Sequence, residues 1–202
     1  MATAPHAVFY YDLGSPESYL AAERVSAVLP VVPEWEPVLA AELGAAGGQH
    51  DRQLIERLVS ERGLQPLRWP ARWPPDSRLA MLAATYAKGV GRVVAFSLAA
   101  FRQAFAAGRD LSDPNTVLIA AAACELHPTA LLKAIELRSV REALGEATVR
   151  ARAAGLRSLP AVEVGDSVFA GDGRLGDAAA ALRAALQGGG GRDAAADAEG
   201  GR

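Results

Sequence analysis

The junction Ser15-Pro16-Glu17-Ser18 sets how this chain begins to fold. It stands close behind the apolar run Val8-Phe9-Tyr10-Tyr11, which has strand character, and opens the segment Tyr19 to Leu29, whose pattern is helical. A strand that turns directly into a helix leaves the first helical amides unpaired beside the strand end. Ser suits the capping position, and Pro suits the first helical position because the N–H it lacks has no intrahelical partner there. The positive end of the helix dipole adds to those donors, so an anion or a thiolate would be stabilised near Ser15. The same residues also describe an ordinary helix start, with Ser15 only capping.

The second constraint is Ser158-Leu159-Pro160-Ala161-Val162-Glu163-Val164-Gly165-Asp166-Ser167-Val168-Phe169. Two β-rich runs flank Gly165-Asp166, a two-residue connection of the kind that closes a hairpin. Pro160 stands just before the first run, and a helix from Leu175 to Leu186 follows the second. Between the two ends lie helices punctuated by Gly and Pro. Leu54-Ile55-Leu58-Val59 ends before Gly63, Leu79-Met81-Leu82-Tyr86 ends near Gly89, and Phe96-Leu98-Phe101-Phe105 ends at Gly108. Asp113-Pro114 is a cap-then-Pro start, and Thr129 to Ile135 and Ser139 to Ala154 complete the set. The aromatic stripe Phe96-Phe101-Phe105 reads as packing. The expected class is α/β, with a domain over residues 1–187, a helical insertion over about 50–154, and a disordered tail over 188–202. That tail, Gly188 to Gly191 and then Arg, Asp, Ala, Glu and Gly, has too little apolar surface to offset ordering entropy.

Composition excludes some functions. The 202 residues carry a net charge of -2, with Arg dispersed among Asp and Glu, so nothing in bulk charge favours nucleic acid or an anionic membrane. Met1 to Ala7 has no basic segment ahead of an apolar core, and Val117 to Cys124 is too short to span a bilayer, which makes the cytoplasm the default. His6, His50 and His127 are scattered, so neither a metal site nor a catalytic dyad is expected. The single cysteine, Cys124, lies in the hydrophobic run Val117 to Cys124 and reads as a buried thiol. One cysteine forms neither an intramolecular disulfide nor a Cys-x-x-Cys redox pair.

Taken in order, four stretches resemble the 2-hydroxychromene-2-carboxylate isomerases and kappa-class glutathione transferases, in the DsbA-like branch of the thioredoxin superfamily. They are Phe9 to Pro16, Trp73-Pro74-Pro75-Asp76-Ser77, Gly108 to Asp113, and Gly155 through Leu175. The resemblance implies a thioredoxin-like fold with a helical insertion between the second strand and the strand after a cis-Pro, here Pro160. It implies that Ser15 binds and activates the sulfur of glutathione or another low-molecular-weight thiol. Ser15-Pro16-Glu17-Ser18 occupies the place where dithiol relatives carry Cys-Pro-x-Cys, and a hydroxyl forms no mixed disulfide. By the same resemblance, Leu159 and Pro160 clamp the cysteinyl part of the thiol through the backbone, and a homodimer is expected.

This chain departs from the pattern in two places. The Gly-x-Asp-Arg-Leu element reads Gly171-Asp172-Gly173-Arg174-Leu175, so Gly173 stands where the family has Asp, and Asp172 is the nearest substitute for a glutamyl ammonium partner. The Asn and Lys usual after the second strand are absent from Gly44 to Asp51, where only Gln49 offers an amide. The Ala-, Gly- and Arg-heavy composition suggests a GC-rich genome, where another low-molecular-weight thiol is an alternative to glutathione as cosubstrate. Arg68-Trp69-Pro70-Ala71-Arg72-Trp73 is a stiff aromatic stretch; Trp69 and Trp73, with Tyr11, would line a pocket for a flat aromatic or conjugated substrate, or the Trp pair would pack onto the insertion. Three functions stand open: a thiol-dependent isomerase, a glutathione-transferase-like enzyme, and a thioredoxin-fold binding protein without catalysis.

Overall fold

The computed structural model describes residues 6–44 and 51–199, with side chains over 6–44 and 51–187. Strands β1 (Ala7–Tyr11), β2 (Glu34–Pro37), β3 (Ala161–Val164) and β4 (Ser167–Ala170) form one sheet in the order β2-β1-β3-β4. β1 runs parallel to β2, with Val8 opposite Glu34 and Tyr11 opposite Pro37. It runs antiparallel to β3, with Ala7 opposite Val164 and Tyr10 opposite Ala161. The hairpin of β3 and β4 is closed by Gly165-Asp166, as the sequence predicts, with Gly165 at φ 56. The expected class, a thioredoxin-like α/β fold with a helical insertion, is the one observed.

Helix α1 (Pro16–Ala22) follows β1 directly, and α2 (Val25–Val28) continues after a break, so the single helix expected from Tyr19 to Leu29 is two. Both residues of the break are drawn to different partners. Glu23 accepts two hydrogen bonds from Arg102 at 2.8 Å each, while Arg24 lies 3.5 Å from the Asp172 carboxylate. Tertiary ion pairs outweigh the modest propensity that would keep one short helix continuous.

The insertion between β2 and β3 consists of α3 (Arg52–Glu61), α4 (Arg78–Gly89), α5 (Val93–Phe105), α6 (Pro114–Ala122), α7 (Pro128–Glu136) and α8 (Arg138–Ala153). Its boundaries follow local chemistry. Asp51 caps α3 by accepting from the Leu54 amide at 3.0 Å, and Asp113 caps α6 ahead of Pro114. Gly108 ends the α5 turn at φ 67, where an added Cβ would sit 3.0 Å from the Arg68 Cβ; only glycine fits that approach. After β4, α9 spans Leu175–Glu199. Its backbone is helical past Gln187. The alanines of Ala194-Ala195-Ala196 have the best helix propensity, which works against the weakness of the four-glycine tract.

The sheet is covered on both faces. Phe9, Tyr11, Trp35 and Val162 join the main core with α1, α4, α5 and α9 residues. Phe9 and Tyr11 meet the Trp35 ring edge-on at 4.9 and 5.4 Å between centroids. On the opposite face, Tyr10 and Ala161 pack with Ala147 and Ala151 of α8. There the Thr148 hydroxyl accepts from the Leu39 amide at 3.1 Å and donates to the Leu144 carbonyl at 2.9 Å. These layers bring the C-terminal end of β1, the start of α1 and the start of β3 together.

Candidate functional site

Ser15 sits at that meeting point. It caps α1 from an extended conformation, φ -96 and ψ 119, and its hydroxyl oxygen accepts from the Ser18 amide at 3.0 Å. The same hydroxyl donates to the Glu17 carboxylate at 3.2 Å, and the residue is 8% exposed. Opposite, the Leu159–Pro160 peptide bond is cis, as the resemblance implies. Continuing the β1–β3 register one step beyond Tyr10 and Ala161 places Pro160 level with Tyr11, four residues before Ser15. The Pro160 carbonyl accepts from the Gly171 amide at 2.7 Å, which brings the Asp172–Arg174 3₁₀ turn against the same strand start. Leu159 is half-buried, and its own N–H and C=O make no hydrogen bond with the described residues. At that exposure its backbone groups are open to water or to a bound molecule.

The residue that sequence reasoning missed is Asp12. It is 5% exposed, and its carboxylate accepts from the Gly14 amide at 2.8 Å and the Ala40 amide at 2.9 Å, with the Ser77 hydroxyl close enough to favour its charged form. Its own carbonyl accepts from the Ser15 amide at 3.0 Å. Burial pushes the Asp12 carboxyl above its ordinary value, and nearby Asp76 adds to the rise, while the three donors pull the other way. Ser77 is the N-cap residue of α4 yet forms no cap hydrogen bond to its own helix, and its hydroxyl lies toward the Asp12 carboxylate. The available signal was an Asp at a strand end with Gly two residues on, the pattern of an Asx turn.

The other expected site residues fall differently. Tyr11 is fully buried, its hydroxyl lies 2.6 Å from the Ser97 hydroxyl on α5, and burial raises its pKa. Strand alternation puts Tyr11 on the face that α5 covers, together with Phe9. Asp172 does not offer an open carboxylate. Arg62 donates to it twice, at 3.0 and 2.5 Å, and Arg24 lies 3.5 Å away, so two guanidiniums occupy the group expected to meet an ammonium. Gly173 is exposed, with open space where a side chain would project. Gln49 lies outside the described residues.

Trp69 and Trp73 form an edge-on pair at 5.0 Å, and the Arg52 guanidinium lies over both rings at 4.7 and 5.2 Å. Trp69 also donates its indole N–H to Glu56 at 2.6 Å. These contacts tie the pair to α3, the packing alternative of the two. The loop that follows does reach Ser15's surroundings: a Cβ on Gly14 would stand 3.2 Å from the Ser77 Cβ and 3.4 Å from Pro75. Cys124 is 6% exposed, its thiol directed to the Ala121 carbonyl at 3.3 Å, and burial raises its pKa. Among the described residues, no group of three or more His, Cys, Asp or Glu is placed to hold a metal, and no helix is long and apolar enough to cross a membrane.

Residues 7–183 match the DSBA-like thioredoxin domain. The chain belongs to that family. Its fold is similar to that of a 2-hydroxychromene-2-carboxylate isomerase, with 18% identity, a TM-score of 0.74, and coverage of 97% of this chain and 99% of the other. A probable DsbA oxidoreductase from Streptomyces coelicolor is similar at 16% identity and TM-score 0.73, with 91% and 90% covered. So is a cytosolic disulfide reductase from Pseudomonas aeruginosa, solved with glutathione, at 16% identity and TM-score 0.61, with 90% and 97% covered. No curated protein sequence matches the chain.

Proposed function

We propose that this protein is a thiol-dependent isomerase of the 2-hydroxychromene-2-carboxylate isomerase type, using glutathione or a related small thiol on a conjugated aromatic-degradation intermediate in the cytoplasm. The observation that carries this reading is the unpaired Leu159 peptide at the cis bond, set across the sheet from the Ser15 turn. A thiol with a peptide-like backbone would pair with the Leu159 N–H and C=O, which brings its sulfur toward the Ser15 hydroxyl. Ser15 would then exchange its donor bond to Glu17 for one to the sulfur. A hydrogen bond to a charged acceptor contributes about 1.5–3 kcal/mol, which lowers a thiol pKa by about one to two units. The thiolate adds to the conjugated double bond, whose electron pair moves onto the conjugated carbonyl and leaves a single bond free to rotate; return of that pair re-forms the double bond and expels the thiolate. Dithiol exchange is no part of this reading, because the lone Cys124 is buried in the insertion.

One observation favours a second reading. Asp172 is already paired with Arg62, so a glutamyl ammonium finds no free carboxylate there, as in a module that has lost glutathione chemistry. Calorimetric titration with glutathione and other cellular thiols, on the parent and Ser15→Ala, separates the two. The isomerase reading expects binding by the parent, weakened at least about tenfold by Ser15→Ala. Turnover of 2-hydroxychromene-2-carboxylate without turnover of a chlorodinitrobenzene-type electrophile completes the case; thiol binding by neither protein would refute it.

A further inference from the structure

We propose that Asp12 is a positioning residue that aims the Ser15 hydroxyl, by gathering three separate segments onto one buried carboxylate. The proposal rests on the reading of Ser15 as the thiol-binding group. The three segments are the β1–α1 turn through the Gly14 amide, the 3₁₀ turn Ala40–Glu42 through the Ala40 amide, and the start of α4 through the Ser77 hydroxyl. None is close to another in sequence apart from Asp12 and Gly14, and all converge one turn ahead of Ser15. The Ser15 amide is bonded to the Asp12 carbonyl at 3.0 Å, so rotation of residue 12 displaces the cap directly.

The fold does not explain the choice of a carboxylate here. Burial disfavours its charged form, and an apolar or amide side chain of similar size would avoid that penalty. What a carboxylate supplies is two oxygens that only accept, with about four lone-pair sites for three donors. An Asn in its place turns one oxygen into an NH2 group. That group faces the Gly14 or Ala40 N–H donor to donor, and the segment on that side must move away. The tight approach of Gly14 to Ser77, 3.2 Å for an added Cβ, leaves the turn no slack to absorb such a shift. Ser15 would then keep its place in the chain and lose its direction.

The sign of one measurement separates aiming from charge. If Asp12 acted only as a nearby negative charge, its neutralisation would make a bound thiolate easier to form. If it aims Ser15, neutralisation makes the thiolate harder to form. Glu17 on α1, Asp76 ahead of α4 and Glu42 in the 3₁₀ turn, paired with Arg78 at 3.4 Å, are carboxylates on the segments around this junction, and all remain in the variant.

The experiment compares the parent, Asp12→Asn, Ser77→Ala and Ser77→Thr. Two quantities are read: amide hydrogen exchange at Gly14 and Ala40, and the ultraviolet thiolate band of bound glutathione against pH. In Asp12→Asn we expect exchange at both amides to rise at least about tenfold, as when a hydrogen bond to an ionised acceptor is lost. We expect the thiolate midpoint to move up by about one pH unit. Ser77→Ala, which leaves the carboxylate in place, gives smaller changes in the same direction, and Ser77→Thr restores the parent values. Should Asp12→Asn fail to fold, the Ser77 pair decides alone. Unchanged exchange, or a midpoint that stays or falls in the variants while the parent forms thiolate normally, overturns the role of Asp12 alone. A parent that forms no bound thiolate overturns the thiol reading and the role together.

Discussion

Replacing Tyr11 with Phe removes one oxygen and tests whether this residue belongs to the core or to a pocket. In the folded protein that oxygen lies 2.6 Å from the Ser97 hydroxyl, in a region where both residues are 0% exposed. The lost hydrogen bond is a net loss of about 1 kcal/mol, and the Ser97 hydroxyl left dry beside a phenyl ring adds about 1 more. About 2 kcal/mol is a large part of a domain stability of roughly 5–15 kcal/mol. With a urea dependence of about 2 kcal/mol per molar, the unfolding midpoint falls by about 1 M at unchanged slope. Ser97→Ala alone gives a similar loss. The double variant loses less than the sum, because removing both partners leaves neither unsatisfied. Equilibrium urea unfolding followed by circular dichroism measures all three, and thiol titration of the same samples should show affinity within about twofold of the parent. A Tyr11→Phe protein with an unmoved midpoint and thiol affinity reduced about tenfold would refute the core assignment and return Tyr11 to the site.

Three further outcomes follow from the same contacts. Burial raises the phenol pKa values of Tyr10, Tyr11 and Tyr19, with Glu163 adding to the rise at Tyr10 and Glu23 at Tyr19. Unfolding releases phenols that ionise near pH 10. Stability is therefore complete below about pH 10 and falls above it, by about 1.4 kcal/mol per pH unit for each buried tyrosine, and Tyr11→Phe removes one share of that slope in alkaline denaturation. Asp172→Ala leaves the Arg62 guanidinium, 17% exposed, facing no carboxylate, and should cost about 3 kcal/mol, seen as a calorimetric Tm lowered by about 6–12 °C. Arg52→Ala frees the Trp69–Trp73 pair from its covering cation and should shift tryptophan fluorescence to the red, with a stability loss of only about 1 kcal/mol.

Local chemistry was legible in the sequence. Ser15-Pro16, Asp113-Pro114 and Gly165-Asp166 each specify their turn or cap through neighbours within a few residues, and each stands where it was expected. The order of elements followed from those signals, and the resemblance supplied the place of Pro160. Facts that depend on distant partners were not legible. Tyr10 and Tyr11 are interchangeable in a sequence, but α4 and α5 pack on one face of β1 and α8 on the other, which sends them into different cores. The state of Asp172 depends on Arg62, far away at the C-terminal cap of α3. Asp12 stands at a strand end in the sequence, and its burial follows only once Ala40 and Ser77 close over it. The break at Glu23-Arg24 likewise needs Arg102 and Asp172 to be in place.

The position of β1 in the middle of the sheet bears on how the chain is born. β1 and its parallel partner β2 leave the ribosome early, but the antiparallel side of β1 has to wait for β3, which follows the whole of the inserted helices. At bacterial and eukaryotic elongation speeds of about 5–20 residues per second, that wait is on the order of 10 s. Through it, the Phe9, Tyr11 and Trp35 cluster can be sheltered by the emerging α4 and α5, which need only local contacts to form. The inserted helices thus act as a nursery for an unfinished sheet, and the junction of β1, α1 and β3 comes into being last, when the Pro160 strand docks.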